Sequence, residues 1–205
     1  MKLKPCKFTD ARDIYDIDGV YYEREDNALF TGISTALHEA GQIKSEVNYI
    51  NGMKNGLTMY FDETGHVQWQ ATYSNGELSG LYSNFYKTGN VQWQATYRNG
   101  ELSGPYIKYY KTGYVQFEAN YEYGKLYGLY THFHKNGQID FEVNYCDGYL
   151  DGLVKKYYYK GGNNIKCNSK KRKQVRVVKN WFEDGKIKSK EDLIKSGLYF
   201  EYLSK

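Results

Sequence analysis

A chain of 205 residues has room for one domain or two small ones. Its 24 Tyr, 21 Gly and 2 Pro, with a mean hydropathy of −0.77, make it too polar overall for a membrane protein and too aromatic for a disordered one. The net charge of +4 is uneven: residues 163–190 carry +8 and the remainder −4, so an acidic partner would have to be met by that one segment. No run approaches the length of a transmembrane helix. Met1 to Phe8 has no apolar core after its basic start, which argues against a signal peptide. Cys6, Cys146 and Cys167 are widely spaced and odd in number, so they read as free thiols of a reducing compartment. The expectation is a soluble, cytoplasmic protein.

The first stretch, residues 1–31, lies outside any regular pattern and reads as an N-terminal cap that closes the first open edge. Within it Ile14-Tyr15 and Val20-Tyr21-Tyr22 flank Asp18-Gly19, the grammar of an opening hairpin. From Gly32 a 24-residue period takes over. Val67 to Gly80 and Val91 to Gly104 are the same fourteen letters with one change, Ser74 for Arg98. Three glycine ladders keep the period, represented by Gly56/Gly80/Gly104, Gly65/Gly89/Gly113 and Gly76/Gly100/Gly124.

Each unit predicts a β-hairpin. Val91, Trp93, Ala95 and Tyr97 alternate with Gln92, Gln94 and Thr96, and a period of two over seven residues is a half-buried strand. A three-residue loop, Lys87-Thr88-Gly89, with its glycine left-handed, would set Phe85 opposite Val91, Ser83 opposite Trp93 and Leu81 opposite Ala95. Asn99-Gly100 reads as a two-residue turn, and Gly80 and Gly104 are the positions where a bulge would reconcile the two registers. The repeats are expected over residues 32–162. A basic insertion, 163–174, holds Lys170-Lys171-Arg172-Lys173 and reads as a solvent-facing loop; 175–205 form a divergent last hairpin and C-terminal cap. In that end, Gly197 to Tyr202 reads as a last edge strand, and Ser189-x-x-Asp192 as the start of one helical turn. The fold class predicted is all-β: an elongated single-layer antiparallel repeat sheet of about six 24-residue β-hairpins with N- and C-terminal caps.

Tyr86-Lys87-Thr88-Gly89, Tyr97-Arg98-Asn99-Gly100 and the linker Asn99-Gly100-Glu101-Leu102-Ser103-Gly104 resemble the MORN-repeat superfamily in its bacterial variant form. Leu29-Phe30-Thr31-Gly32 looks like its usual first repeat. The resemblance covers Tyr21 to Leu153 well and Val175 to Tyr202 loosely. It implies a twisted sheet of hairpins used as a binding scaffold, and specifically a YwqK-type antitoxin or immunity protein that occludes a cognate bacterial toxin or effector. It brings no catalytic residues. Eukaryotic members of the superfamily are associated with membranes, phosphoinositides and homodimerisation, so a membrane-associated scaffold using Lys170 to Lys173 is the alternative.

Two surfaces are candidates for partner contact. One is the polar ladder Glu46, Gln70, Gln94, Glu118 and Glu142, flanked by Lys44, Gln68, Gln92, Gln116 and Asp140, with copies about 10 Å apart, two strand spacings. The other is a tyrosine set read as outward-facing: Tyr82, Tyr106 and Tyr130. Trp69, Trp93, Phe117 and Phe141 read as the apolar spine, and one sheet cannot bury such a spine against itself. Either the sheet curls into a trough, or a cap, a homodimer mate or a partner protein covers it. His132 and His134 share a strand face and invite a metal, but the sequence shows no third ligand. The lysine run has no interleaved aromatics, so specific nucleic-acid binding is not expected. No nucleophile–base constellation, phosphate loop or cofactor motif is present, and the expectation is a non-enzymatic protein without cofactor or metal.

Overall fold

The computed structural model describes residues 8–159, 163–170 and 173–180. The chain divides into two compact units, Met1–Ser103 and Gly104–Lys205. Each is built of β-hairpins.

The first unit holds β1 (Phe8–Asp10), a 3₁₀ turn (Ala11–Asp13), β2 (Ile14–Ile17), β3 (Val20–Glu23), β4 (Gly32–Leu37), β5 (Ile43–Ile50), β6 (Met53–Phe61), β7 (Val67–Ser74), β8 (Glu77–Phe85) and β9 (Val91–Arg98). Its sheet runs in the order β1-β4-β5-β6-β7-β8-β9, each strand beside its neighbour in sequence from β4 on. Strand β1 lies parallel to β4, pairing Thr9 with Ser34. β2 and β3 form a separate hairpin across Asp18-Gly19.

The alternation seen in the sequence builds two unlike faces. Residues paired across an antiparallel ladder share a face. Tyr60 pairs with Trp69, Thr58 with Ala71, and Gly56 with Tyr73, which makes one face aromatic. Leu57 with Thr72 and Met59 with Gln70 make the other polar. Each Asn-Gly turn has positive φ at both central residues (Asn99 48°, Gly100 77°), the two-residue turn whose twist matches the strands it joins. These turns also tie successive hairpins together. Gly76 N–H donates to Lys54 O at 2.9 Å and Gly100 N–H to Leu78 O at 2.9 Å.

The register corrects part of the expectation. Phe85 does pair with Val91, but Trp93 faces Asn84 and Ala95 faces Tyr82, not Ser83 and Leu81. The cause is one extra residue on β9, Gln92, a β-bulge between the turn and the rest of the ladder. The bulge moves Tyr82 to the aromatic face and Leu81 to the polar one, where Leu81 is 46% exposed. At the other end the register shifts between Ala71 and Tyr73, at the place the spacing predicted, and Gly80 there has φ 114°. Two residues are accommodated, so the strand changes register without turning over.

A buried cluster sits where the N-terminal hairpin lies on the aromatic face. Ile14, Phe30, Val47 and Tyr49 are its core, with Tyr21 and Tyr60 packed against it. Tyr21 meets Tyr49 at 4.6 Å between ring centroids. Tyr21 N–H donates to Gly52 O at 2.8 Å, and Gly52 N–H to Phe30 O at 2.7 Å, so the hairpin is fixed to the first repeat's turn.

The second unit continues the 24-residue pattern with the main part of β10 (Glu101–Tyr109), β11 (Val115–Glu122), β12 (Lys125–Leu126), β13 (Gly128–Phe133), β14 (Ile139–Cys146) and β15 (Tyr149–Tyr157). Its aromatic face pairs Tyr106 with Ala119, Lys108 with Phe117, Tyr130 with Val143 and His132 with Phe141. The segment read as a basic loop is instead strand. β16 (Asn163–Lys170) and β17 (Lys173–Asn180) pair antiparallel with each other, and β16 pairs with β15. The sequence carries the reason: Ile165, Cys167 and Ser169 alternate with Lys166, Asn168 and Lys170. The expected edge strand at Gly197 to Tyr202 and the helical turn at Ser189 lie outside the described residues.

The three-residue loops have their own anchors. In the loop after β6, Asp62 Oδ1 accepts from Thr64 N–H at 2.9 Å, Thr64 Oγ1–H at 2.6 Å and His66 N–H at 3.0 Å. The Thr64 hydroxyl, helped by the two backbone amides, holds the Asp62 carboxyl below the usual carboxylate range. A depressed folded-state value stabilises above the unfolded pKa, near 4, and that contribution is lost as pH falls through the folded value. Following the Asp62 side-chain carbon by NMR should show a midpoint below that of a model aspartate. Thr64→Ala should move it back up.

Candidate interaction surfaces

The aromatic face is a stack of rings. In the first unit Tyr60, Trp69, Tyr82 and Trp93 follow one another with centroid separations of 4.3, 5.6 and 4.8 Å and interplanar angles of 16°, 12° and 4°. In the second, Tyr106, Phe117, Tyr130 and Phe141 do the same at 5.4, 5.3 and 5.7 Å. Small residues make this possible. Ala71 and Ala95 stand directly opposite Tyr82 on its two neighbouring strands, and the Tyr82 ring leans diagonally onto Trp69 and Trp93. Ala71 and Ala95 are fully covered as a result. Burial pushes the Tyr130 hydroxyl up to about 12, with Tyr145 and Tyr121 adding to the effect. The Tyr82 and Tyr97 hydroxyls are also shifted upward, first by burial.

The structure therefore separates the two predicted surfaces differently. Tyr82, Tyr106 and Tyr130 belong to the ring stacks beside Trp93, Phe117 and Phe141, not to an outward tyrosine set. The polar ladder does occupy the opposite face. In the first unit Glu46 pairs with Thr35 and Met59, Gln70 with Met59 and Ser83, and Gln94 with Ser83. Gln94 Nε2 donates to Ser83 Oγ at 3.3 Å. In the second unit Glu118 is exposed between Ile107 and Thr131. Glu142 is engaged internally, accepting from Tyr157 Oη at 2.9 Å and Lys155 Nζ at 3.4 Å. Glu118 is thus the freest carboxylate of the ladder's second half. Leucines share this face: Leu57, Leu81 and Leu129 are 41%, 46% and 45% exposed.

The flanking positions Gln68, Gln92, Gln116 and Asp140 are the extra residues of the bulges. In the repeat that begins at Gly128 this brings Asp140 between the two histidines. Asp140 Oδ2 lies 3.1 Å from His132 Nδ1, and Oδ1 lies 3.5 Å from His134 Nε2. His132 also stacks on Phe141 at 5.1 Å. Among the described residues no group of three or more His, Cys, Asp or Glu is arranged to hold a metal ion. The trio reads as a cross-strand polar cluster.

One feature escaped the reading of the sequence. Glu122, Tyr123, Lys125, Tyr127, Cys146 and Asp147 line a cavity of about 240 Å³ at the turn end of the second unit. The signal for it was present as departures from the repeat. Positions filled by Arg98, Asn99 and Ser103 one period earlier hold Glu122, Tyr123 and Tyr127.

No curated protein matches the chain. Two stretches, residues 30–51 in the first unit and 126–147 in the second, match the MORN repeat variant family, so each compact unit of this hairpin scaffold carries a repeat of that kind.

Proposed function

We propose that the chain is a non-enzymatic protein-binding scaffold, and that it acts as an antitoxin or immunity protein which sterically neutralises a cognate bacterial toxin in the cytoplasm. The aromatic face carries this reading. Its buried cluster lies under the N-terminal hairpin, whereas Trp69 and Trp93 farther along the same unit remain half-buried. Rings held in stacked order at fixed spacing give large contact area with little entropy left to lose on binding. The opposite face adds carboxylates and amides at regular intervals for complementarity to a basic partner. The antitoxin form rests on the resemblance of the Asn-Gly-x-Leu-x-Gly linkers to bacterial variant repeats.

Co-expression with the product of the adjacent reading frame tests it: growth arrest by that product should be relieved by the chain. Glu46→Lys with Glu118→Lys should weaken the rescue, each exchange reversing a carboxylate of the polar face. Glu142 is unsuited to this test because its exchange would also break the contacts with Tyr157 and Lys155. Unchanged rescue by the double variant would remove the polar face from the interface.

The second reading, a scaffold on anionic membranes, draws on the strand hairpin β16–β17. Its register sets Lys166 across from Lys179 and Lys170 across from Lys173. Flotation with phosphatidylserine- or phosphoinositide-containing vesicles distinguishes the two. The scaffold of a membrane would float, and an antitoxin would stay in the load.

A further inference from the structure

The turn Tyr123-Gly124 departs from its counterparts in a way the fold does not need. The first central residue of this turn must be left-handed, and the other repeats place Asn51, Asn75, Asn99 or Asp147 there. Here a tyrosine is held at φ 49°, a conformation that asparagine and aspartate adopt readily and an aromatic residue does not. The ring gains no packing in return, since Tyr123 is 78% exposed. Backbone strain of this kind clusters at binding and active sites. Tyr127, 52% exposed, interrupts the strand between β12 and β13, and its backbone N–H donates to Asn120 O at 2.9 Å. Tyr123 and Tyr127 line the cavity, together with Leu126, Glu122 and Asp147. Asp147 is only loosely matched by Lys125, at 3.9 Å with both side chains largely exposed. Glu122 pairs with Lys125 in the β11–β12 ladder and is exposed.

We infer that this cavity is a recognition site for an arginine side chain of a partner protein, seated against the Tyr123 and Tyr127 rings and paired with Glu122. A guanidinium is planar, stacks on aromatic faces and takes a carboxylate in a two-pronged bond, so it uses each of these groups at once. The two carboxylates outweigh the single lysine, which sets the sign of the ligand. The inference rests on the protein-binding reading and adds the chemistry of one contact.

The test is a ¹⁵N–¹H titration of the full chain with blocked Gly-Arg-Gly peptide and its citrulline isostere. The arginine peptide should shift residues 122–127 and 146–148, and the citrulline peptide should bind about tenfold more weakly, having lost the charge. The variant Glu122→Arg/Tyr123→Asn/Tyr127→Ser restores the residues of the preceding repeat and relieves the strained turn, so it should fold and yet lose the response. No shift at millimolar arginine peptide, equal response to citrulline, or an unaltered response in the variant each overturns the site. Failure here with intact rescue in co-expression removes the arginine site alone. A localised arginine response without rescue removes the antitoxin reading and leaves the site.

Discussion

Gly52→Ala should be strongly damaging to the first unit, at about 2–4 kcal/mol. Two effects combine. The residue sits at φ 75°, where any side chain is strained. In addition, the new Cβ would lie 2.7 Å from Tyr21 O and 2.8 Å from Val20 Cγ1, with Leu29 Cδ2 at 3.0 Å. One of those atoms is backbone, so a rotamer change cannot relieve the contact. The N-terminal hairpin would have to lift, breaking the Tyr21–Gly52 bond and uncovering Tyr49. Gly76 supplies the control. It occupies the same turn position one repeat later, at φ 85°, and an added Cβ meets nothing within 4 Å. Gly76→Ala should therefore cost only the backbone term, about 1 kcal/mol. Urea unfolding of the two variants measures the difference, and equal losses would show that the hairpin does not bear on that turn.

Tyr82→Ala should cost about 2–3 kcal/mol, a large value for a half-buried residue. Tyr82 is the middle ring between Trp69 and Trp93, so its removal breaks two stacks at once. It also uncovers Ala71 and Ala95, which the ring helps to shield from water. Tyr82→Phe keeps the stack and should cost well under 1 kcal/mol. A double-mutant cycle of Tyr82→Ala with Trp93→Ala should return a coupling of about 0.5–1.5 kcal/mol. Near-additive losses would mean that the rings are neighbours without being partners.

These two cases also show which parts of the structure were readable from sequence. The hairpin repeat, the Asn-Gly turns and the register change at Gly80 follow from alternation and from residues with special backbone freedom. The bulge at Gln92 has no such mark, because glutamine is an ordinary strand residue. Without that bulge Leu81 would lie inside and Tyr82 outside, the reverse of what is found. Hydrophobicity alone would send leucine inward. In this sheet the face is decided by register, and tyrosine covers alanine better than leucine would. The basic insertion 163–174 reads as a loop from its charge and polarity, whereas the period of two over 163–170 is that of the strand found there. Interaction surfaces were legible only in outline. The repeated positions showed where a polar ladder would be, but the cavity at Tyr123 came from positions where one repeat breaks the rule.

The central claim is that this hairpin scaffold works by holding another protein. Light scattering on the full chain mixed with the protein encoded beside it, after size-exclusion chromatography, tests that claim most directly. The expected result is one complex with the summed mass of both chains, in which the partner's toxic activity is lost. Two separate peaks, with the chain floating instead on anionic vesicles, would contradict it.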